Sequence, residues 1–173
     1  MSGSTATWQE RYSRKVVTAG RAVRDILTGQ RVFVGSGCAE PQALTEALAA
    51  RGGELTDTQI VHWLTLGTAP YADPKLGKGF RANAFFIGPN VRDAVADGRG
   101  DYTPVFMSEL PALFRTGRVP IDVALISVSP PDEHGFCSLG VSIDIVKAAA
   151  ESASRVAAEV NSNMPRTMGD TFL

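Results

Sequence analysis

Val32-Phe33-Val34-Gly35-Ser36-Gly37-Cys38-Ala39-Glu40-Pro41 is the stretch on which the fold turns. Its first three residues, β-branched or aromatic with no polar interruption, read as a strand buried on both faces. Gly35 and Gly37 then permit backbone angles that other residues avoid, and Pro41 suits the first turn of a helix. A strand that turns on glycine into a helix directs backbone N–H groups beyond the strand end, where the helix dipole reinforces them. Such donors suit a phosphate, a carboxylate or a transient oxyanion.

Working outward from this turn, the chain alternates strands and helices. Upstream, Trp8, Tyr12, Val16, Ala19, Val23, Ile26 and Leu27 follow the three-and-four spacing of one helical face and predict a leading helix over 8–28, ended by Gly29. Downstream, Leu44, Ala47 and Leu48 mark a helix closed by Gly52-Gly53, and Gln59 to Leu66 reads as a strand. Residues 67–81 are rich in glycine and proline and carry Lys75, Lys78 and Arg81, the signature of a functional or interface loop. Asn83 to Ile87 predicts a strand and Val91 to Ala96 a helix closed by Gly98-Arg99-Gly100. Thr103 to Met107 predicts a further strand, and Ser108 stands where it can cap the helix carrying Leu110, Leu113 and Phe114.

Asp122 to Val128 is the clearest buried strand. It runs into Ser129-Pro130-Pro131-Asp132-Glu133-His134-Gly135-Phe136-Cys137-Ser138-Leu139-Gly140, where turn formers sit among ionisable groups. An alanine-rich helix from about Asp144 to Ala153 and a last strand from Arg155 to Val160 complete the pattern. This alternation predicts one α/β domain over 1–173, with a mostly parallel, doubly wound sheet of about six strands. Because ligands in such sheets sit beyond the carboxyl ends of the strands, the glycine turn and the Ser129–Gly140 loop are expected on one edge.

Composition narrows the partners. A chain of 173 residues that is 44% hydrophobic and carries a net charge of −1 has no field to draw it to nucleic acid or an anionic membrane, so a small molecule is the expected ligand. No apolar run is long enough to span a bilayer, and the N-terminus lacks the order of a secretory signal, which points to the cytoplasm. Cys38 and Cys137 form no regular framework, so a structural disulfide is not expected.

A dinucleotide fingerprint would need a third glycine near Pro41 and an acid after the second strand, and neither is present. Cys38 stands near a helix N-terminus without an identifiable general base, which favours a small packed side chain over a nucleophile. Glu40 either positions substrate or complements the positive end of the helix. Glu133 and His134 are the most reactive pair in their loop, against an ordinary reading as a solvent-exposed turn. His134 and Cys137 have the spacing to start a zinc site but lack suitable partners, so no metal is expected.

Four separated motifs then resemble one family. Gly-Ser-Gly-Cys-Ala-Glu-Pro (35–41), Phe-Arg-Ala-Asn-Ala-Phe-Phe (80–86), the Ser129–Gly140 loop and Met-Pro-Arg-Thr-Met-Gly-Asp (164–170) look like the acetyl-CoA hydrolase/transferase family, which includes the 4-hydroxybutyrate and acetate CoA-transferases. The resemblance implies an enzyme of two α/β halves, this chain matching the N-terminal one, with the nucleophilic glutamate in the other. In such transferases the glutamate attacks an acyl-CoA thioester, passes through an acyl-glutamyl anhydride and becomes a glutamyl-CoA thioester before CoA moves to a second acid. CoA and acyl-CoA are then substrates rather than permanently bound cofactors.

On that reading, Gly35, Ser36, Gly37, Cys38 and Ala39 are candidates for the oxyanion and acyl site. Glu40, Glu133, His134, Gly135, Met164, Pro165 and Arg166 are candidates for substrate contact or for the surface facing the C-terminal half, Arg166 for docking that half. The chain stops on Phe172-Leu173 without a closing helix, which suggests a longer parent protein. Partners are an acyl-CoA, a small carboxylic acid and that second half, with room for a homo-oligomer. The family pattern has proline after Asn161 and histidine after Thr167, where this chain has Ser162 and Met168, so the tail loop lacks a polar ring. Hydrolysis instead of transfer, a non-catalytic acyl-CoA-binding module, and a subunit completed by another polypeptide remain alternatives.

Overall fold

A computed structural model describes residues 6–173. In place of one helix over 8–28 it has two, α1 (Trp8–Lys15) and α2 (Ala19–Val23). The break falls at Val16-Val17-Thr18, where Val16 is extended and the Thr18 hydroxyl accepts from the Arg21 N–H to start α2. β-Branched residues lose side-chain freedom in a helix, and a threonine offers the backbone a cap instead. Strand β1 (Arg31–Val34) follows, then α3 (Gln42–Ala49) and β2 (Thr58–His62).

Residues 67–81 hold two short 3₁₀ turns, Pro70–Ala72 and Pro74–Leu76, and the start of β3 (Phe80–Ala84). After α4 (Pro89–Ala96) comes β4 (Gly100–Tyr102), which ends where the pattern predicts a strand to begin, at Thr103. Ser108 does not cap α5 (Leu110–Arg115): it lies inside a 3₁₀ turn, Met107–Glu109, and Pro111 has no N–H to be capped. The chain ends with β5 (Val123–Val128), α6 (Val146–Ser152) and β6 (Arg155–Val160).

All six strands are parallel, in the order β4-β3-β2-β1-β5-β6. The register pairs Val32 with both Ile60 and Val123. Alternate residues serve opposite faces. Val32, Val34, Ile60, Val123 and Leu125 pack with Val23 of α2, Leu44 and Leu48 of α3 and Val91 of α4. Phe33, Val61, Ala124 and Ile126 pack with Leu110 and Phe114 of α5 and Val146 and Ala149 of α6. β5 is buried at all six positions, as a strand covered on both faces must be, whereas edge strand β6 leaves Val156 and Val160 exposed.

The chain winds outward from β1 to β4, then returns to lay β5 on the other side of β1. The β1–β5 pair is therefore where the winding reverses. In open α/β sheets the crevice beyond the carboxyl ends at such a point is where ligands bind.

Candidate functional site

The glycine turn and the loop after β5 share this edge. Gly35 N–H donates to the Leu125 carbonyl at 2.8 Å, and Gly37 N–H donates to the Leu64 carbonyl at 2.7 Å. Gly37 also bridges Thr65 in parallel, so the turn is threaded between the exits of β2 and β5. On the β5 side the Ser142 hydroxyl donates to the Ser36 carbonyl at 3.0 Å. Gly37 has φ +62, a conformation that favours glycine, whereas Gly35 has ordinary contacts around its missing Cβ.

Ala39 N–H closes the turn on the Ser36 carbonyl at 3.2 Å. Among the described residues the N–H groups of Ser36 and Cys38 have no acceptor. Ser36 is buried and Cys38 carries an exposed free thiol. The expected contribution of the helix dipole is corrected by the structure. Pro41 supplies no cap to α3; the Glu159 carboxylate at the end of β6 accepts from the Ala43 and Leu44 N–H groups at 2.9 and 3.4 Å. The start of α3 already holds an anion, so the donors left to a ligand are those of the turn.

Glu40 points away from the helix end. It is buried, and its Oε2 accepts from the Gly67 N–H at 2.9 Å and from the Thr65 hydroxyl. Burial raises its pKa and the Gly67 N–H draws it partly back. Near it lies Tyr71, whose hydroxyl is pushed up by burial and by the Glu40 charge, and the His62 ring lies 6.0 Å from that of Tyr71. The His62 ring is fully buried with neither nitrogen partnered, and burial holds its pKa at about 4.

The Ser129–Gly140 loop folds on itself and on the tail. The Asp132 carboxylate accepts from the His134 and Phe136 N–H groups, both at 2.9 Å. Cys137 and Leu173 exchange backbone hydrogen bonds at 3.1 and 3.0 Å, and Leu139 N–H donates to the Thr171 carbonyl. Arg166 reaches back to Asp132, donates to the Phe136 carbonyl at 3.1 Å and lies 4.8 Å from the centre of the Phe172 ring. It thus has its carboxylate partner within the chain. Met164 is buried against Gly140, and the Pro165 carbonyl lies beside the same glycine.

Glu133 and His134 stay exposed at the loop tip, their side chains 3.6 Å apart, with no hydrogen bond to the glycine turn. Trp8 donates to the Glu133 carbonyl at 2.8 Å, and its ring covers Gly135. This contact accounts for α1, which buries no residue of its own. The structure therefore brings together Gly35–Glu40 and, through Ser142 and Gly140, Met164; it leaves Glu133 and His134 apart. Thr65, Tyr71, Ser142 and Glu159 are structural members of the site that the sequence pattern does not single out. The one signal was an acid, Glu159, inside an otherwise apolar strand run. Among the described residues no three His, Cys, Asp or Glu side chains gather to hold a metal ion, and no helix is long and apolar enough to cross a membrane.

Residues 2–173 match the profile of the acetyl-CoA hydrolase/transferase N-terminal domain. The chain is 48% identical over 166 residues to the 4-hydroxybutyrate coenzyme A transferase of Clostridium kluyveri, covering 96% of this chain and 39% of that protein. It is 44% identical over 147 residues to the succinyl-CoA:acetate/propanoyl-CoA:succinate CoA transferase of Fasciola hepatica, covering 84% of this chain and 30% of that protein. The crystal structure of 4-hydroxybutyrate CoA-transferase from Porphyromonas gingivalis superposes with a TM-score of 0.80 at 35% identity, over 96% of this chain and 38% of that one. The chain spans well under half the length of each of these relatives.

Proposed function

The chain belongs to the acetyl-CoA hydrolase/transferase family, and from that premise we propose that it is the N-terminal half of an enzyme that moves CoA between an acyl-CoA and a carboxylic acid. The reaction passes through a glutamyl-CoA thioester whose glutamate belongs to a C-terminal half. The observation that carries this reading is the pinned turn at the β1–β5 reversal. Its Gly35 and Gly37 N–H groups are spent on holding it, while those of Ser36 and Cys38 are left for a ligand oxygen. As the thioester carbonyl becomes tetrahedral, charge grows on that oxygen, and donors already fixed in place stabilise it without reorganising.

A second feature supports the two-half arrangement. Leu66, Phe86, Phe106, Phe136, Val141 and Met168 are each at least half exposed, and they follow strands β2 to β5 or lie in the tail beside them. They ring the carboxyl edge of the sheet. An anhydride intermediate must be kept from water, and an apolar rim is what a covering half would bury. The acid substrate and the acyl-CoA enter between the two surfaces.

The test is an assay with acetyl-CoA and acetate or butyrate, on this 173-residue chain and on the complete protein that carries it. Transfer is expected from the complete protein and none from the chain alone, and hydroxylamine or borohydride is expected to trap the glutamyl-CoA thioester. Robust transfer by the chain alone would overturn the assignment of the nucleophile. Hydrolysis with no acid acceptor would make the protein a thioesterase.

A further inference from the structure

The acyl-transfer reading leaves the buried polar group under the turn without a role. Glu40 is 6% exposed, and its Oε1 has no hydrogen-bond partner. Its carboxyl group presses on Gly67 so closely that a Cβ there would collide with Oε2. From the opposite side Asn90 of α4 donates to the Thr65 and Gly67 carbonyls at 3.1 and 2.6 Å. Residues 65–67 are therefore clamped between Glu40 and Asn90. Buried polar groups are costly unless bonded, so a carboxyl retained here calls for a function beyond filling space.

The attachments of the turn say what that function is. On the β5 side it is held at Gly35 and at the Ser36 carbonyl. On the β2 side it is held at Gly37, through Leu64 and Thr65, and again three residues later by Glu40, through Thr65 and Gly67. The unbonded N–H groups of Ser36 and Cys38 lie between these anchors. Without the Glu40 anchor, the turn would be tied to the β2 exit at Gly37 alone, and the peptide carrying the Cys38 N–H would be free to tilt.

We propose that Glu40 is a positioning residue: by bridging the end of the glycine turn to the Thr65–Gly67 segment, it fixes the direction of the Ser36 and Cys38 N–H groups. Its consequence for catalysis rests on the acyl-transfer reading; the anchor itself does not. Glu40 touches no reacting atom and exchanges no proton with substrate. A misdirected donor affects the transition state more than substrate binding, so the loss appears in kcat rather than KM.

The experiment compares wild type with Glu40→Ala, Glu40→Gln and Thr65→Val. In the 173-residue chain, amide hydrogen exchange at Gly37 and Gly67 is read against Ile126 in the central strand. Glu40→Ala is expected to speed exchange at both glycines by about tenfold or more, and Glu40→Gln, which keeps an acceptor, by less than about threefold. In the complete protein Glu40→Ala is expected to lower kcat by about tenfold or more with KM within about twofold, and Glu40→Gln to restore most of it.

Unchanged exchange in a folded Glu40→Ala chain overturns the anchor, as does a Glu40→Gln variant as damaged as Glu40→Ala. Altered exchange with unchanged kcat overturns the positioning role. Altered exchange in a protein whose wild type transfers no CoA overturns the acyl-transfer reading while the anchor stands. If Glu40→Ala does not fold, Thr65→Val decides at Gly37, because the Gly67 N–H also donates to the Thr65 hydroxyl: faster Gly37 exchange supports the anchor, and wild-type exchange there overturns it.

Discussion

Lowering the pH should weaken this fold through one imidazole. His62 ends β2, is fully buried, and has no hydrogen-bond partner on either ring nitrogen. Burial holds its pKa at about 4, against 6.5 for a free imidazole. The unfolded chain therefore takes up a proton at this site as pH falls through 6.5, while the folded chain refuses it until about 4. Stability is fully present above the unfolded value and is lost as pH drops across that window, with no further loss below it. At about 1.4 kcal/mol per pH unit the loss amounts to about 3 kcal/mol, a large share of a domain's net stability. The measurement is urea unfolding from pH 4 to pH 8 for wild type and His62→Leu, which fills the apolar side of the same site without a titrating group. Glu40 has a raised pKa, so its own contribution is largest at low pH and falls as pH rises, opposing His62. It is common to both proteins, and the difference between them isolates the imidazole. That difference should move by about 3 kcal/mol in favour of the variant between pH 7 and pH 4. A difference that stays flat with pH would refute the account of His62 as a neutral, desolvated ring.

Two further substitutions test the anchors of the site. Glu159→Ala removes the carboxylate that caps α3 and is expected to lower stability by about 1 kcal/mol in urea unfolding, with Glu159→Gln in between; no change would mean that Ala43 and Leu44 find water as good a partner. Arg166→Ala removes the pairing with Asp132, the bond to the Phe136 carbonyl and the contact with Phe172, and should free the tail. Amide exchange at Leu139 and Leu173 should rise and limited proteolysis should cut after Asn161, whereas an unaltered tail would show that the Cys137–Leu173 pairing suffices.

The sheet was legible where burial writes itself into side-chain type. β1 and β5 are apolar runs because helices cover both their faces, and each ends in glycine or proline where the chain must turn. β4 was not legible. Gly100-Asp101-Tyr102 has no apolar pattern, and Gly98 and Gly100 read as the end of α4; the segment pairs with Ala82–Ala84 of β3, and the pairing brings Gly100 so close to the Ala82 carbonyl that a Cβ would be crowded there. The strand expected at Asn83–Ile87 lies late for a related reason. Phe85 and Phe86 still donate to the His62 and Trp63 carbonyls past the end of β3, so the apolar run follows the fading ladder rather than its start.

The site divides in the same way. Its glycine turn and its second loop carry their signal locally, in residues whose backbone angles demand them. The group beneath the turn has no local signal. Glu40, Thr65 and Tyr71 are separated by 25 and 6 residues along the chain and meet because β2 lies beside β1 and the 3₁₀ turn at Pro70–Ala72 folds back under their carboxyl ends. A lone glutamate before a proline reads most simply as a helix-dipole partner. The structure gives that task to Glu159, from the far end of the sheet order, and so leaves Glu40 to hold the turn. The sheet order explains the assignment: Glu159 near the end of β6 reaches the Ala43 and Leu44 N–H groups at the start of α3, while Glu40 reaches Thr65 and Gly67 beyond the end of β2, which pairs with β1.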